Sequence, residues 1–414
     1  MAQGRPALAE LANPAVLPDP YPVLAGLREA SPFAAPLPAP LPDGALVVVG
    51  RHEDCSRILR DPRSSSERGR SLLSPPEAPR AASFLSLDPP DHTRLRRLVS
   101  KAFTPRVIAA LAPRIRELAH GLLTAAPEGN QAGDGREIEL VSQLAYPLPV
   151  RIISELLGVP ATDHARFAGW SARLAHSLQP QFGSVDLEEL AAVQEARLEF
   201  ADYVRELVAL RRASPADDLL SQLIRAEDDG QVLSEQELIG TCVLLLVAGH
   251  ETTVSLISNA VLALLRHRDQ LAALRADPDL AAGAVEETLR YDAPVQFTGR
   301  VARDGMQIGP VSAPDGAVLM LLLAATGRDP AVFADPDRFD IRRTPAGGPG
   351  HLAFAAGPHF CLGAPLARLE ATIALQAFVT RVDEPELDEA RLSYKPNVNL
   401  RGLERMPVRF ASIR

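Results

Sequence analysis

The stretch His351-Leu-Ala-Phe-Ala-Ala-Gly-Pro-His-Phe-Cys-Leu-Gly-Ala-Pro-Leu-Ala-Arg368 places a lone cysteine, Cys361, in a loop punctuated by Gly357 and Gly363. A helix is expected directly after it. Pro365 suits a first helical turn, where its missing N–H costs nothing. Leu366, Leu369, Ile373 and Ala377 then supply an apolar face at helical spacing. A cysteine just before a helix N-terminus is favoured as thiolate by the helix dipole and by unpaired N–H groups. Gly363 is read as letting the backbone turn close to the sulfur. These are the needs of an axial iron thiolate, which pushes electron density onto iron and favours O–O cleavage. Other readings stay open on the loop alone. A buried structural cysteine is the bland one. A nucleophile would need a positioned base, for which His359 is the candidate. A zinc site would need partners at short spacing, and Cys361 has none.

The other cysteines, Cys55 and Cys242, complete an odd and sparse set, which is no disulfide framework and points to a reducing compartment. The chain has 414 residues, 46% hydrophobic and 23% charged, an ordinary globular balance. Its net charge of −9 argues against a nucleic-acid binder. The N-terminus shows no apolar signal region, and the run Val243 to Gly249 is too short to span a bilayer before His250 and Glu251 interrupt it. A cytoplasmic protein without membrane or nucleic-acid partners is expected.

Size alone would suggest two or three domains. A long helix argues for one body. Ser234 with Glu237 forms a capping box, and no proline follows to about Arg266. At 1.5 Å per residue the helix is about 50 Å long. Helical spacing also marks 92–102, 105–124, 137–157, 187–212 and 369–380. Gly44 to Val49 reads as a buried strand, and parts of 295–322 as short strands joined by turns at 304–305 and 314–316. The expectation is a single, mainly α domain over 1–414 with small β-sheets.

Inside the long helix, residues 248–253 read Ala-Gly-His-Glu-Thr-Thr. Gly249 costs about 1 kcal/mol relative to alanine mid-helix. That cost is useful where something large approaches the backbone. Glu251 and Thr252 put an acid and a hydroxyl in one turn, the parts of a proton relay. Cys242 reads as a core residue. Farther along, Glu287 and Arg290 in Glu-Glu-Thr-Leu-Arg-Tyr stand at i,i+3 and can pair. In Asp88-Pro-Pro-Asp-His-Thr-Arg-Leu-Arg-Arg97, His92 and Arg96 share a helix face. Two potential cations there repel unless an anion lies between them.

Taken together, these motifs resemble the cytochrome P-450 family. Phe354, Gly357, His359, Cys361 and Gly363 meet its Phe-x-x-Gly-x-His-x-Cys-x-Gly signature, with Ala355 where the family often has glycine. Residues 248–252 match Ala-Gly-x-Asp/Glu-Thr. Glu287 and Arg290, followed by Arg338 in Asp-Pro-Asp-Arg-Phe, match its Glu-x-x-Arg motif and downstream arginine. The likeness runs from Asp19-Pro-Tyr-Pro to Arg401-Gly-Leu. It implies a triangular P-450 fold binding haem b. Cys361 would ligate the iron, and His92, Arg96, Arg300 and His359 would hold the propionates. Ala248, Gly249, Phe354, Gly357 and Gly363 would touch the cofactor. Glu251 and Thr252 would deliver protons to O2, and a carboxylate between two guanidiniums (Glu287, Arg290, Arg338) would lock the fold.

The resemblance further implies a soluble bacterial monomer fed by a ferredoxin and its reductase. Arg97, Lys101 and Arg368 are candidates for that docking surface. Similar actinobacterial members tailor secondary metabolites such as polyketides and peptides. The expected reaction inserts one oxygen atom into a fairly hydrophobic small substrate. Desaturation or oxidative coupling, and a non-enzymatic haem-thiolate sensor, are the alternatives. Substrate contacts are expected from Leu87, Leu244, Val247, Val295, Phe297 and Asn399. The loops 64–87 and 170–187 are expected to act as lids.

Overall fold

A computed structural model describes residues 8–37, 39–74, 83–125, 131–132, 135–175, 187–228, 230–343 and 349–414. Much of both expected lids, 75–82 and 176–186, therefore lies outside the described residues. The chain is mainly helical with several small sheets. Its contacts group into two units.

The first unit comprises Met1–Arg96, Leu289–Arg338 and Pro345–Cys361. Its centre is a five-stranded sheet in the order Phe33–Ala34, Leu46–Val49, Val318–Leu321, Thr298–Ala302, Ser64–Ser65. Leu46–Val49 and Val318–Leu321 pair in parallel, Val47 opposite Leu319 and Val49 opposite Leu321. A strand inside such a sheet is covered on both faces, so it reads as an unbroken apolar run rather than an alternation. Val47, Val48 and Val49 are accordingly all fully buried. The expected turn at 304–305 is present, with Asp304 and Gly305 both at positive φ. Leu352 and Ala356 insert into the same core beside Val47, Ile58, Leu59 and Leu321. The cysteine loop thus hangs from a rigid sheet.

The second unit comprises Arg97–Thr288, Phe339–Thr344 and Leu362–Arg414. Its axis is the helix Glu235–Arg266, 32 residues long. Both halves of the expected capping box are formed, with Glu237 N–H donating to Ser234 Oγ and Ser234 N–H to the Glu237 carboxylate. Ala364–Arg381, Pro147–Leu156, Leu187–Ala213 and His164–Ala175 pack against it. Among the described residues it is the helix long and apolar enough to cross a membrane, yet 61% of its most apolar window is buried inside the protein. It is a core helix.

Two expected helices are corrected. Residues 137–157 do not form a continuous helix. Gly135–Glu139 is a strand, Val141–Ala145 a π-turn, and the α-helix is Pro147–Leu156. The strand pairs antiparallel with Pro407–Phe410, Ile138 opposite Val408. That partner lies about 270 residues away, so local periodicity could not reveal it. The expected helix at 105–124 likewise breaks at Leu111 into Pro105–Ala110 and Ala112–Ala125.

Glu370, on Ala364–Arg381, is buried, and burial pushes its carboxyl up to about 8. An acid raised above its unfolded value stabilises the fold at low pH and loses that contribution as pH climbs through the folded value. Thermal stability is therefore expected to fall between about pH 4.5 and pH 8, and Glu370→Gln to flatten that slope. Melting curves across this range check it.

Candidate active site

Cys361 closes the first unit. Its backbone N–H donates to the Phe354 carbonyl at 3.0 Å, which folds the loop back on itself. Two positions carry the bend. Gly357 has φ +69°, and a Cβ there would lie 2.4 Å from the Leu59 carbonyl oxygen. Only glycine fits. Gly357→Ala is expected to displace the loop, costing about 2 kcal/mol or more and lowering cofactor occupancy. Denaturant titration and the absorbance of the purified variant measure both effects.

Ala355 also adopts a left-handed conformation, φ +58°. An alanine pays about 1–2 kcal/mol there. Ala355→Gly is expected to recover roughly 0.5–1 kcal/mol, because glycine gives part of the gain back as unfolded-state entropy. A thermal melt checks this. Gly363 behaves differently from expectation. It precedes the helix Ala364–Arg381 with φ −79° and ψ −1°, angles open to any residue. Pro365 does occupy the first turn.

Positive groups gather beside this loop within the same unit. His92 is buried, and its ring lies 4.1 Å, centroid to centroid, from that of His359. Arg96 is half-buried, close enough to Cys361 to feel its charge, and donates to the Phe360 carbonyl. Arg300 is buried and donates to the Gly299 carbonyl at 2.8 Å. Burial pushes every one of these groups toward its neutral form, and repulsion from neighbouring basic groups adds to it at His92, Arg300 and His359. His359 is driven down to about 3, first by burial, then by His92 and Arg300. Arg300 falls to about 10, mainly by burial and then by Arg68. Asp88 opposes the trend at both positions. Its carboxylate already accepts from the Ser65 hydroxyl and the Ser66 N–H. Both ring nitrogens of His92 are buried with no hydrogen-bond partner. Buried polar atoms seldom go unsatisfied. The set calls for an anion with several acceptor oxygens.

Two partners expected of each other fall in different units. In the first, buried Arg290 donates to the carbonyls of Gly327 at 2.8 Å, Pro336 at 2.7 Å and Arg338 at 2.9 Å. In the second, buried Glu287 accepts from the Asp340 N–H at 2.9 Å and from Arg343 at 3.1 Å. Arg343 is a partner the motif did not signal. Arg368 is held by Glu286 in a two-pronged ion pair, while Arg97 and Lys101 are exposed.

In the second unit, the long helix is buried along most of its length but opens at Ala248 and Gly249. A Cβ on Gly249 would meet nothing within 4 Å. Thr252 is half-buried and its hydroxyl donates to the Ala248 carbonyl at 3.1 Å. Glu251 is buried and bonded to Lys395, whose role the sequence did not signal. Burial pushes the Glu251 carboxyl up, but the His250 hydrogen bond and the Lys395 charge outweigh it and hold the group at about 2. Glu251 is thus a carboxylate at neutral pH. Of the expected substrate contacts, Leu87, Leu244, Val295 and Asn399 are half-buried, whereas Val247 and Phe297 are buried. Val295 packs on the sheet core of the first unit, and the Asn399 N–H donates to the Asn397 side chain at 2.9 Å.

The cytochrome P450 family model matches residues 42–383. The chain belongs to the cytochrome P450 family. Cytochrome P450 monooxygenase PikC of Streptomyces venezuelae is 44% identical over 95% of this chain and 91% of its own length. The 6-deoxyerythronolide B hydroxylase of Saccharopolyspora erythraea is 37% identical, covering 94% of this chain and 96% of the relative. The ligand-free crystal structure of Mycobacterium smegmatis CYP164A2 superposes with a TM-score of 0.85. It is 46% identical and covers 98% of this P450 and all of that chain. The chain is therefore a P450 monooxygenase, and the family implies a haem held through a cysteine thiolate and the use of O2. The residues present fit such a group. The unpartnered His92 imidazole among Arg96, Arg300 and His359 asks for the carboxylates that a haem carries.

Proposed function

We propose that this P450 inserts one oxygen atom from O2 into a fairly hydrophobic small molecule, by hydroxylation or epoxidation, during secondary-metabolite biosynthesis of the polyketide or peptide type. The observation that carries the site is the unpartnered, buried His92 ring amid Arg96, Arg300 and His359 in the unit that ends on Cys361. Haem b, when bound, supplies oxygen activation at an iron whose thiolate ligand favours O–O cleavage. Cys361 would hold the iron. His92, Arg96, Arg300 and His359 would hold the propionates, and Phe354, Gly357, Gly363, Ala248 and Gly249 would bound the cofactor. Thr252 would present its hydroxyl, and Glu251 would pass protons inward from water. Leu87, Leu244, Val247, Val295, Phe297 and Asn399 would contact substrate. Their mostly apolar character supports a hydrophobic one.

Glu287, Arg290 and Arg338 would brace the loops they bond, and residues 1–414 would act as one P450 domain, since the family match crosses both units. Electrons would come from a ferredoxin and its reductase in the cytoplasm. Turnover of candidate macrolide and peptide substrates under isotopically labelled dioxygen tests the reaction. One labelled oxygen in the product supports insertion. An oxidised product carrying no label points instead to desaturation or coupling.

A further inference from the structure

Within the second unit, Glu251 sits in a polar chain that the family motif does not contain. Lys395 follows the strand Ser393–Tyr394, and its ammonium donates to Glu251 Oε2. It is the more exposed partner, its side chain 21% accessible against 11% for Glu251. On the other side, His250 Nε2 lies 3.3 Å from Glu251 Oε1. The His250 ring is fully buried, with Nδ1 2.6 Å from the Leu246 carbonyl. A carbonyl only accepts, so that nitrogen carries a proton. Nε2 then either accepts from the Ser171 hydroxyl, 2.8 Å away, or donates to Glu251 as imidazolium. Tyr146 lies edge-on to His250 at 6.0 Å, and burial together with the Glu251 charge keeps its phenol neutral.

Burial by itself favours the neutral acid. The ion pair with Lys395 is the contact that reaches toward water and opposes this. We propose that Lys395 is a positioning residue of the proton relay: its ammonium keeps the Glu251 carboxylate ionised and fixed in place, so that it acts as a proton acceptor between water and the interior. This rests on the reading of Glu251 as the relay acid. Without Lys395, His250 alone would oppose burial, and Glu251 would hold its proton to a higher pH than in wild type.

The test uses the haem-loaded enzyme. Lys395→Met keeps the aliphatic stem and removes the charge, Lys395→Gln is a second neutral variant, and Lys395→Arg restores the charge. Infrared difference spectra follow the protonated-carboxyl stretch during a pH titration. In Lys395→Met and Lys395→Gln a new carboxyl band is expected to form at a higher pH than in wild type and to vanish when Glu251→Gln is added. Wild type and Lys395→Arg should show no such band above about pH 4. The functional readout is peroxide released per NADH consumed, with ferredoxin and reductase and no added substrate. It should be nearly flat with pH in wild type and rise about threefold or more in the neutral variants as pH falls through the midpoint of their new band. A band midpoint unmoved in both neutral variants overturns the proposal. If the midpoint moves while peroxide yield is the same in wild type, Lys395→Met and Glu251→Gln, the reading of Glu251 as relay acid fails instead.

Discussion

Cys361→Ala is expected to reduce turnover to the level of a haem-free control, while Cys55→Ser and Cys242→Ser retain it. Cys361 is exposed, whereas Cys55 and Cys242 are buried. The ligand form of a cysteine is the thiolate. Burial pushes the Cys242 thiol up to about 12 and the Cys55 thiol higher still, so neither ionises in the working range. Cys55 also has an acceptor in its core site, the Val49 carbonyl at 3.4 Å. No other cysteine can take over the role. The check is product formed per enzyme in the three variants, with haem content measured in parallel. Full activity in Cys361→Ala would remove the ligand assignment.

Thr252→Ala is the second large effect. The hydroxyl is half-buried at the point where the long helix opens, beside exposed Gly249. Among the described residues its bond is the 3.1 Å contact back to Ala248, one that a threonine can release without a fold penalty. Removing a positioned proton donor typically costs about 10²-fold or more. Product formation should fall on that order while NADH consumption continues and peroxide accumulates. Thr252→Ser should keep most of the coupling. Melting temperature should change little, because the residue is only half-buried and its bond runs back to its own helix. Unchanged product per NADH in the alanine variant would take Thr252 out of the relay.

What the sequence disclosed follows the range of the interactions involved. The helix Glu235–Arg266 and its cap were legible because its backbone and capping bonds are local, as Ser234 to Glu237. The loop around Cys361 was legible as a motif, but its backbone was not. Gly363 looked like the turn, whereas the left-handed residues are Ala355 and Gly357. The requirement at Gly357 comes from Leu59, nearly three hundred residues earlier. The same limit explains the strand Gly135–Glu139, whose apolar spacing mimics a helix until Pro407–Phe410 is placed beside it. His92 and Arg96 announced an anion by their spacing, but the crowding of His359 and Arg300 onto them needs the fold. Lys395 and Arg343 gave no signal at all. A lone lysine in a loop and an arginine after a motif look like surface charge until their carboxylates, Glu251 and Glu287, are found buried against them.

The central claim is a haem held by the Cys361 thiolate. The ferrous carbon-monoxide difference spectrum of the purified protein tests it most directly. A strongly red-shifted Soret band that disappears in Cys361→Ala is the predicted result. A band at the shorter wavelength of histidine-ligated haem, or no haem band in protein made with ample haem, would contradict it.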